Sequence, residues 1–219
     1  HMTSETGTLP VLAPLNISCN QSDCENDLHC FRRSRRKTKG KRLNKVDAAP
    51  GACQSCGEER VHWARVHARD LQDVEHTVEN LRHEWIRNHF WETPLTPHAQ
   101  NYALRKGRAR LRAAAEHRLR VSIGQASDKL YRDGTQTSIK NVKNPIYAAQ
   151  HAVAACCRRC IEYWHDIPRD RDLTDGEVAY LTGLVMHFVD RRLPDLPEGP
   201  SKVRSIGKAP PSLNEPEGK

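Results

Sequence analysis

Three cysteines and two histidines fall within one short segment that runs from Asn144 to Pro168. Asn144 is a good helix cap, and the proline after it suits the first helical position, where a missing N–H costs nothing. Alanines are frequent in the segment and favour helix, and Pro168 ends the element. The sequence therefore predicts a helix that carries the group His151, Cys156, Cys157, Cys160 and His165.

This group has the composition of a metal site. Cys156 and Cys160 would share a helix face, because residues four apart are neighbours. Three thiolates and one imidazole, from His151 or His165, would complete a tetrahedral zinc site. Against metal, free cysteine is among the most buried residue types, and the adjacent Cys156 and Cys157 cannot point the same way on a helix. The segment is either a metal site or a set of buried thiols.

A second group of cysteines lies in the N-terminal part of the chain. Cys53-x-x-Cys56-Gly57 has the form of a zinc knuckle, in which glycine lets backbone N–H groups face the sulfurs. The segment is short and polar, so metal binding would supply its folding free energy. We predict one structural Zn²⁺ bound by Cys19, Cys24, Cys53 and Cys56, with His29 or Cys30 as the substitute ligand. A redox role for the Cys-x-x-Cys pair needs a βαβ context, which the sequence does not show.

Nine basic residues and no acidic one lie between Arg32 and Lys45. Such a run is usually a solvated loop, but a zinc site at both ends would present it for phosphate contacts. The net charge of +8 also favours a polyanionic partner. We predict DNA as the partner, with RNA as the alternative. The predicted contacts in the loop are Arg32, Arg33, Arg35, Arg36, Lys37, Lys39, Lys41 and Arg42.

The rest of the chain has a helical pattern. Apolar residues recur at steps of three and four over 66–91, which is typical of an amphipathic helix. Thr96-Pro97 starts another helix, Gly107 closes it, and a basic helix follows to Gly124. A capping box over 174–177 begins the last helix.

The basic helix offers a second candidate phosphate surface. Helical spacing places Arg108 and Arg112 on one face, and Lys106 precedes them closely. The alternative is that these side chains only solvate an amphipathic helix. The spacing alone does not separate the two interpretations.

A turn at Asp133-Gly134 leads into the Cys/His segment. An enzyme acting on DNA would place its active site between this loop and the segment. Asp133 would then be a general base or metal ligand, His151 and His165 would be acid/base groups or ligands, and the Gln136 amide would contact a base edge. The bond cleaved would be glycosidic or phosphodiester, in repair or in defence against foreign DNA. The second hypothesis is a non-catalytic nucleic-acid-binding regulator with two structural Cys clusters.

Four motifs carry a resemblance: a Lys-Gly pair, an Asp-Gly-x-Gln-Thr loop, a Gln-His-Ala-x-Ala-x-Cys-Cys-Arg-x-Cys segment, and a Trp-His-x-Ile-Pro end. They lie at 106–107, 133–137, 150–160 and 164–168. On these motifs, residues from about 81 to 193 resemble an uncharacterised bacterial family, a domain of unknown function. Ser138 stands where proline is expected, and Ala155 where threonine is common. The resemblance implies no activity, and the cysteine-rich N-terminal part would be an added module.

The predicted architecture is mainly α-helical. A leader (1–18) precedes a zinc-ribbon or treble-clef-like module (19–62), a helical domain (63–196) and a disordered tail (197–219). No apolar run approaches the roughly 18 residues that span a bilayer, and no signal peptide is evident. We therefore expect a cytoplasmic protein whose cysteines are thiols or metal ligands. Walker, HExxH and zinc-deaminase patterns are absent. The sequence leaves the oligomeric state open.

Overall fold

The computed structural model describes residues 56–139 and 143–203, together with positions 27, 29, 52, 53 and 206. Cys19, Cys24, Cys30 and the basic run from Arg32 to Lys45 lie outside these residues, so the predictions that concern them stay predictions.

The described residues form seven α-helices and one 3₁₀ turn, and they contain no β-strand. The helices are α1 Trp63–His67, α2 Val74–Arg82, α3 Trp85–Glu92, α4 Pro97–Ile123, α5 Pro145–Ala152, α6 Arg158–His165 and α7 Asp175–Arg192, with the 3₁₀ turn at Leu71–Asp73. The prediction of a mainly α-helical fold is confirmed.

The amphipathic stretch at 66–91 is not one helix. It is divided first near Arg69, which has φ 54°, and again at Glu84, which is extended between α2 and α3. At the second break the backbone pairs with a distant residue. The His29 amide donates to the His83 carbonyl at 2.7 Å, and the Trp85 amide donates to the His29 carbonyl at 3.4 Å. Periodicity does not reveal such a break, because the apolar steps continue across it.

Gly107 interrupts α4 without ending it. Its φ of 70° and ψ of 165° are accessible to glycine almost alone. The segment after α7 crosses this kink, where the amides of Arg108 and Ala109 donate to the carbonyls of Pro197 and Glu198 at 2.8 and 3.2 Å. These bonds satisfy helix N–H groups that would otherwise lack partners. The first residues of the predicted disordered tail therefore lie hydrogen-bonded against α4.

The core lies where α4 and α5 pack on α7, with α3 packed on α5. Its largest buried apolar side chains include Leu111, Leu119, Ile123, Ile146, Ile161, Trp164 and Phe188. This packing holds α5 and α6, which carry the histidines and cysteines of the C-terminal group. None of the described helices is both long and apolar enough to cross a membrane.

Candidate metal centres

The segment predicted as one helix from Asn144 to Pro168 is two helices joined by a turn. Its start is as predicted, since the Asn144 side chain accepts from the Ile146 amide at 2.9 Å. After Ala152 the chain turns, and Ala154 has φ 56°. Gln150 closes the turn, because its carbonyl accepts from the Ala155 amide at 2.7 Å and its side-chain N–H donates to the Ala155 carbonyl at 3.0 Å.

The turn brings all three thiols together. Cys157 is the extended N-cap residue of α6, and Cys156 precedes it outside the helix. Their sulfurs lie 3.1 Å and 3.3 Å, respectively, from the Cys160 sulfur. The expectation that adjacent cysteines must point apart was wrong, because it assumed a continuous helix. The three sulfurs lie within 4.8 Å of one another and could hold a metal ion.

The three sulfurs suit a cation. Hydrogen bonding to Cys156 and Cys160 holds the pKa of the Cys157 thiol well above its ordinary value. Such bonds favour the protonated thiol over the thiolate. A bound metal would supply the positive charge that lets all three ionise. Tetrahedral zinc, with Zn–S bonds of about 2.3 Å, places sulfurs about 3.8 Å apart. The sulfurs at 3.1 and 3.3 Å from Cys160 would therefore move apart by about 0.5–0.7 Å around the ion.

Arg87 of α3 is fully buried and faces the sulfurs. Its Nη2 lies 3.3 Å from the Cys160 sulfur and its Nη1 lies 3.8 Å from the Cys156 sulfur. Nη1 also donates to the His151 carbonyl at 2.6 Å.

The Arg87 Nε donates to Glu84 at 3.1 Å, and the same Glu84 oxygen accepts from the Trp164 indole at 2.6 Å. Sequence reasoning missed both charged residues. The available signal was an arginine four residues before Trp91, on the buried face of α3.

The two histidines that were predicted as acid/base groups or ligands donate hydrogen bonds to backbone carbonyls. His151 is stacked on Phe90, and its Nε2 donates to the Thr137 carbonyl at 3.1 Å. His165 donates from Nε2 to the Val153 carbonyl at 2.9 Å and accepts from the Tyr180 hydroxyl at Nδ1. Burial lowers the pKa of His165 to about 4, so this ring is neutral at pH 7. Among the described residues, neither histidine joins the group of three thiols.

Asp133 and Gln136 fix the loop beside the thiols. Asp133 accepts from the amides of Arg158 and Arg159 at 2.8 and 3.2 Å, which caps the N-terminus of α6. The Gln136 side chain accepts from the Gly134 amide at 3.1 Å. Gly134 has φ 96°, and a Cβ there would lie 3.2 Å from the Cys157 Cβ. The loop at 131–137 therefore lies directly against the thiol cluster, as expected from the sequence.

A second cluster consists of His29, Cys53 and Cys56, whose ligand atoms also lie within 4.8 Å of one another. The His29 Nδ1 is 3.5 Å from the Cys56 sulfur. Beside this pair the Gly57 amide donates to the Cys53 carbonyl at 2.8 Å, and Gly57 has φ 76°. His29, the substitute ligand in the prediction, is thus beside the knuckle.

One of the candidate phosphate contacts on the basic helix, Arg108, is neutralised by carboxylates. Arg108 pairs with Asp190 through two hydrogen bonds of 2.8 and 2.7 Å. This pairing, with a further contact to Glu198, raises the pKa of Arg108. The Lys106 ammonium lies over the Tyr102 ring, 5.2 Å from its centre. Arg112 is exposed.

These features define a mainly helical protein with two clusters that could hold metal, one of three cysteines and one of two cysteines and a histidine. The family described as a domain of unknown function (DUF4186) matches residues 75–190, which is more than half of the chain. The chain belongs to this family. The matched range contains the thiol cluster, Glu84, Arg87 and the 131–137 loop, whereas His29, Cys53 and Cys56 lie outside it. No solved structure matches the chain.

Proposed function

We propose that Cys156, Cys157 and Cys160 bind one Zn²⁺ as thiolates and that this centre is the functional site of the protein. The observation that carries the proposal is the buried Arg87, which directs N–H groups at two of the sulfurs. A neutral thiol is a weak acceptor, whereas a thiolate accepts a hydrogen bond from a cation well. Zinc is the common ion of all-thiolate tetrahedral sites.

The ligand count supports catalysis. Structural zinc sites close with four protein ligands, whereas catalytic sites use three and leave one position for water or substrate. His151 and His165 direct ring N–H groups at carbonyls, which leaves the three thiols as the described ligands. Zinc in such a site polarises a substrate bond and activates water.

The loop beside the centre supports a role in substrate contact. Tyr131 is 80% exposed, and the guanidinium of Arg132 lies 5.3 Å from its ring centre. Arg132 has φ 109°, a conformation that costs energy for any residue other than glycine. Asp133 and Gln136 act as positioning residues in this proposal, because they hold the loop in place by accepting backbone N–H groups.

DNA is the proposed substrate, with hydrolysis of a glycosidic or phosphodiester bond as the reaction. The support is the net charge of +8 and the basic run over 32–45. Since Arg108 is neutralised by Asp190, we assign most phosphate contacts to the basic run and not to α4.

The second candidate is a non-catalytic nucleic-acid-binding regulator with two structural metal sites. The observation that favours it is burial, since none of the three thiols is more than 7% exposed. A substrate would need an opening of the loop at 131–137 to reach the metal.

Metal content and activity, measured on matched variants, test the proposal. We expect two zinc ions per chain in the protein and one in each of C160S and C53S. With zinc in excess, cleavage or base release from duplex and single-stranded DNA should be lost in C160S and retained in C53S. If the protein holds zinc at the thiol cluster but processes no DNA, the regulator is correct. If C160S retains both zinc ions, the thiol centre is not a metal site.

Salt dependence tests the DNA contact. Fluorescence anisotropy should give a log–log slope of about −4 to −5 if roughly half of the basic residues in the run engage phosphates. Joint replacement of Arg32, Arg33, Arg35 and Arg36 by glutamine should flatten the slope and weaken all sequences alike, whereas R112Q serves as the control on α4. RNA is measured in parallel. Unchanged binding by the fourfold variant would assign the run to solubility alone.

A further inference from the structure

A buried ion pair lies between the two metal clusters. We propose that Glu84 and Arg87 are positioning residues that set the metal affinity of the thiol centre and couple it to the cluster of His29, Cys53 and Cys56. The inference rests on the proposed metal site at the thiols and adds a mechanism that links the two sites.

Arg87 forms the end of the pair that faces the thiol centre. One Zn²⁺ with three thiolates carries a net negative charge, and such a charge is costly to bury without a partner. The guanidinium is fully buried, and it lies 3.3 Å from the Cys160 sulfur. A fixed cation at this distance stabilises the ionised, metal-bound sulfurs more than the protonated ones. Outer-shell groups of this kind orient metal ligands and tune the site.

Glu84 determines how Arg87 is oriented. Its Oε2 accepts from the Arg87 Nε at 3.1 Å and from the Trp164 indole at 2.6 Å. Both donors are fully buried, so the carboxylate is held between them. With Nε directed at Glu84, both Nη groups of the planar guanidinium face the sulfurs and the His151 carbonyl. A lysine cannot reproduce this fork, because its ammonium is a point charge.

The backbone of Glu84 leads to the other cluster. His29 forms a parallel bridge with Glu84, and its amide and carbonyl bond to His83 and Trp85 on either side. The His29 ring reaches the Cys56 sulfur at 3.5 Å. A metal bound by His29 would therefore fix the extended backbone at Glu84. Helix α3, which carries Arg87, begins directly after Glu84. The contacts run without a gap from Cys56 to Cys160.

The first test measures the affinity of the thiol centre in E84Q and R87K. Both variants keep side-chain size close to the original, and R82K is the matched control, since Arg82 is on the exposed end of α2 and pairs with Glu92. Cadmium NMR reads the two sites separately, because its shift depends on the number of sulfur ligands, and a chelator titration gives each affinity. We expect the thiol centre to weaken about 10- to 100-fold in E84Q and R87K and to stay unchanged in R82K.

The controls separate this inference from the proposed function. If the unmodified protein shows no cadmium signal from the thiols, the metal site itself is wrong. If that signal is present and E84Q and R87K bind as tightly as R82K, the positioning role is wrong. Circular dichroism checks that each variant is folded, and E84Q carries the test alone if R87K does not fold.

The second test concerns coupling. C53S removes a ligand of the N-terminal cluster and should weaken the thiol centre, although no side chain near the thiols has changed. In the E84Q background the same substitution should have little further effect, since the connection has already been lost. Independent, additive losses in affinity would show that the clusters are not coupled through Glu84.

Discussion

The fully buried ring of His165 makes the stability of the protein depend on pH. Its pKa is about 4 in the folded protein, against an ordinary value of 6.5. Above pH 6.5 the ring is neutral in both states, so it contributes no pH dependence. As the pH falls from 6.5 towards 4, the unfolded chain binds a proton that the folded protein does not, and the free energy of unfolding decreases by up to about 3 kcal/mol.

Urea denaturation between pH 7 and pH 4.5 measures this effect. H165Q removes the titrating ring and should show a shallower loss of stability than the original protein across that range, although it is less stable at pH 7. His117, on the exposed side of α4, gives the control variant H117Q, which should keep the original pH dependence. Identical slopes for H165Q and the original protein would contradict the prediction.

Gly107 is a second residue with a measurable role. A Cβ at this position would lie 2.3 Å from the Gly199 carbonyl carbon, and its backbone conformation is strained for other residues. We expect G107A to lower the free energy of unfolding by about 1–3 kcal/mol. G176A, in the first turn of α7, is the control, because its nearest neighbour would be 4.0 Å away. Equal stability of the two variants would show that the kink tolerates a side chain.

At the scale of elements, the start of α7 depends on one carboxylate. Glu177 completes the capping box with Thr174 and accepts from Arg171 at 2.6 and 2.8 Å. Pairing with Arg171 lowers the pKa of Glu177 to about 2, from an ordinary value of 4.5. The resulting stability is complete above pH 4.5 and is lost as the pH falls from about 4.5 to about 2.

E177Q should remove this contribution, so its free energy of unfolding near neutral pH should be lower by about 1–3 kcal/mol. The difference from the original protein should shrink as the pH approaches 2. D175N is the control in the same helical turn, because the Asp175 side chain is 91% exposed. Denaturation curves at pH 7 and pH 2.5 provide the measurement, and a difference that stays constant with pH would count against the ion pair.

The beginnings of helices were predictable and their interruptions were not. The caps at Thr96, Asn144 and Thr174 use side chains within three residues of the helix, so the local sequence contains the signal. The break at Glu84 depends on His29, which is far away in sequence. The break at Ala154 occurs among residues that favour helix, which shows that closing the thiol turn outweighs local propensity.

The same distinction applies to the candidate sites at the scale of the whole molecule. The cysteines and the loop at 131–137 were found because their residue types and spacing are unusual. Arg87 and Glu84 were missed because a single arginine or glutamate on a helix is ordinary until the packing shows it buried. His151 and His165 were singled out as acid/base groups or ligands, whereas their hydrogen bonds to carbonyls could be seen only in the fold.

If the N-terminal cluster binds metal, the residues around it should unfold on metal loss without unfolding the helices. C53S should lose one zinc ion and unfold the residues around the knuckle while the helices persist, since the main core lies among α3 to α7. Elemental analysis gives the zinc content, far-ultraviolet circular dichroism gives the helix content, and hydrogen exchange locates the change. A Cys53–Cys56 disulfide in the isolated protein, or a collapse of all helices in C53S, would oppose this assignment.

The crossing of the segment after α7 over the kink in α4 affects where a recombinant fragment should end. The family match stops at residue 190, yet the carbonyls of Pro197 and Glu198 serve the amides of Arg108 and Ala109. A fragment cut at the end of the match would expose those amides and the bare backbone at Gly107. We expect it to express as aggregate or to be degraded rapidly, whereas a fragment ending at residue 203 should yield soluble protein that resists trypsin.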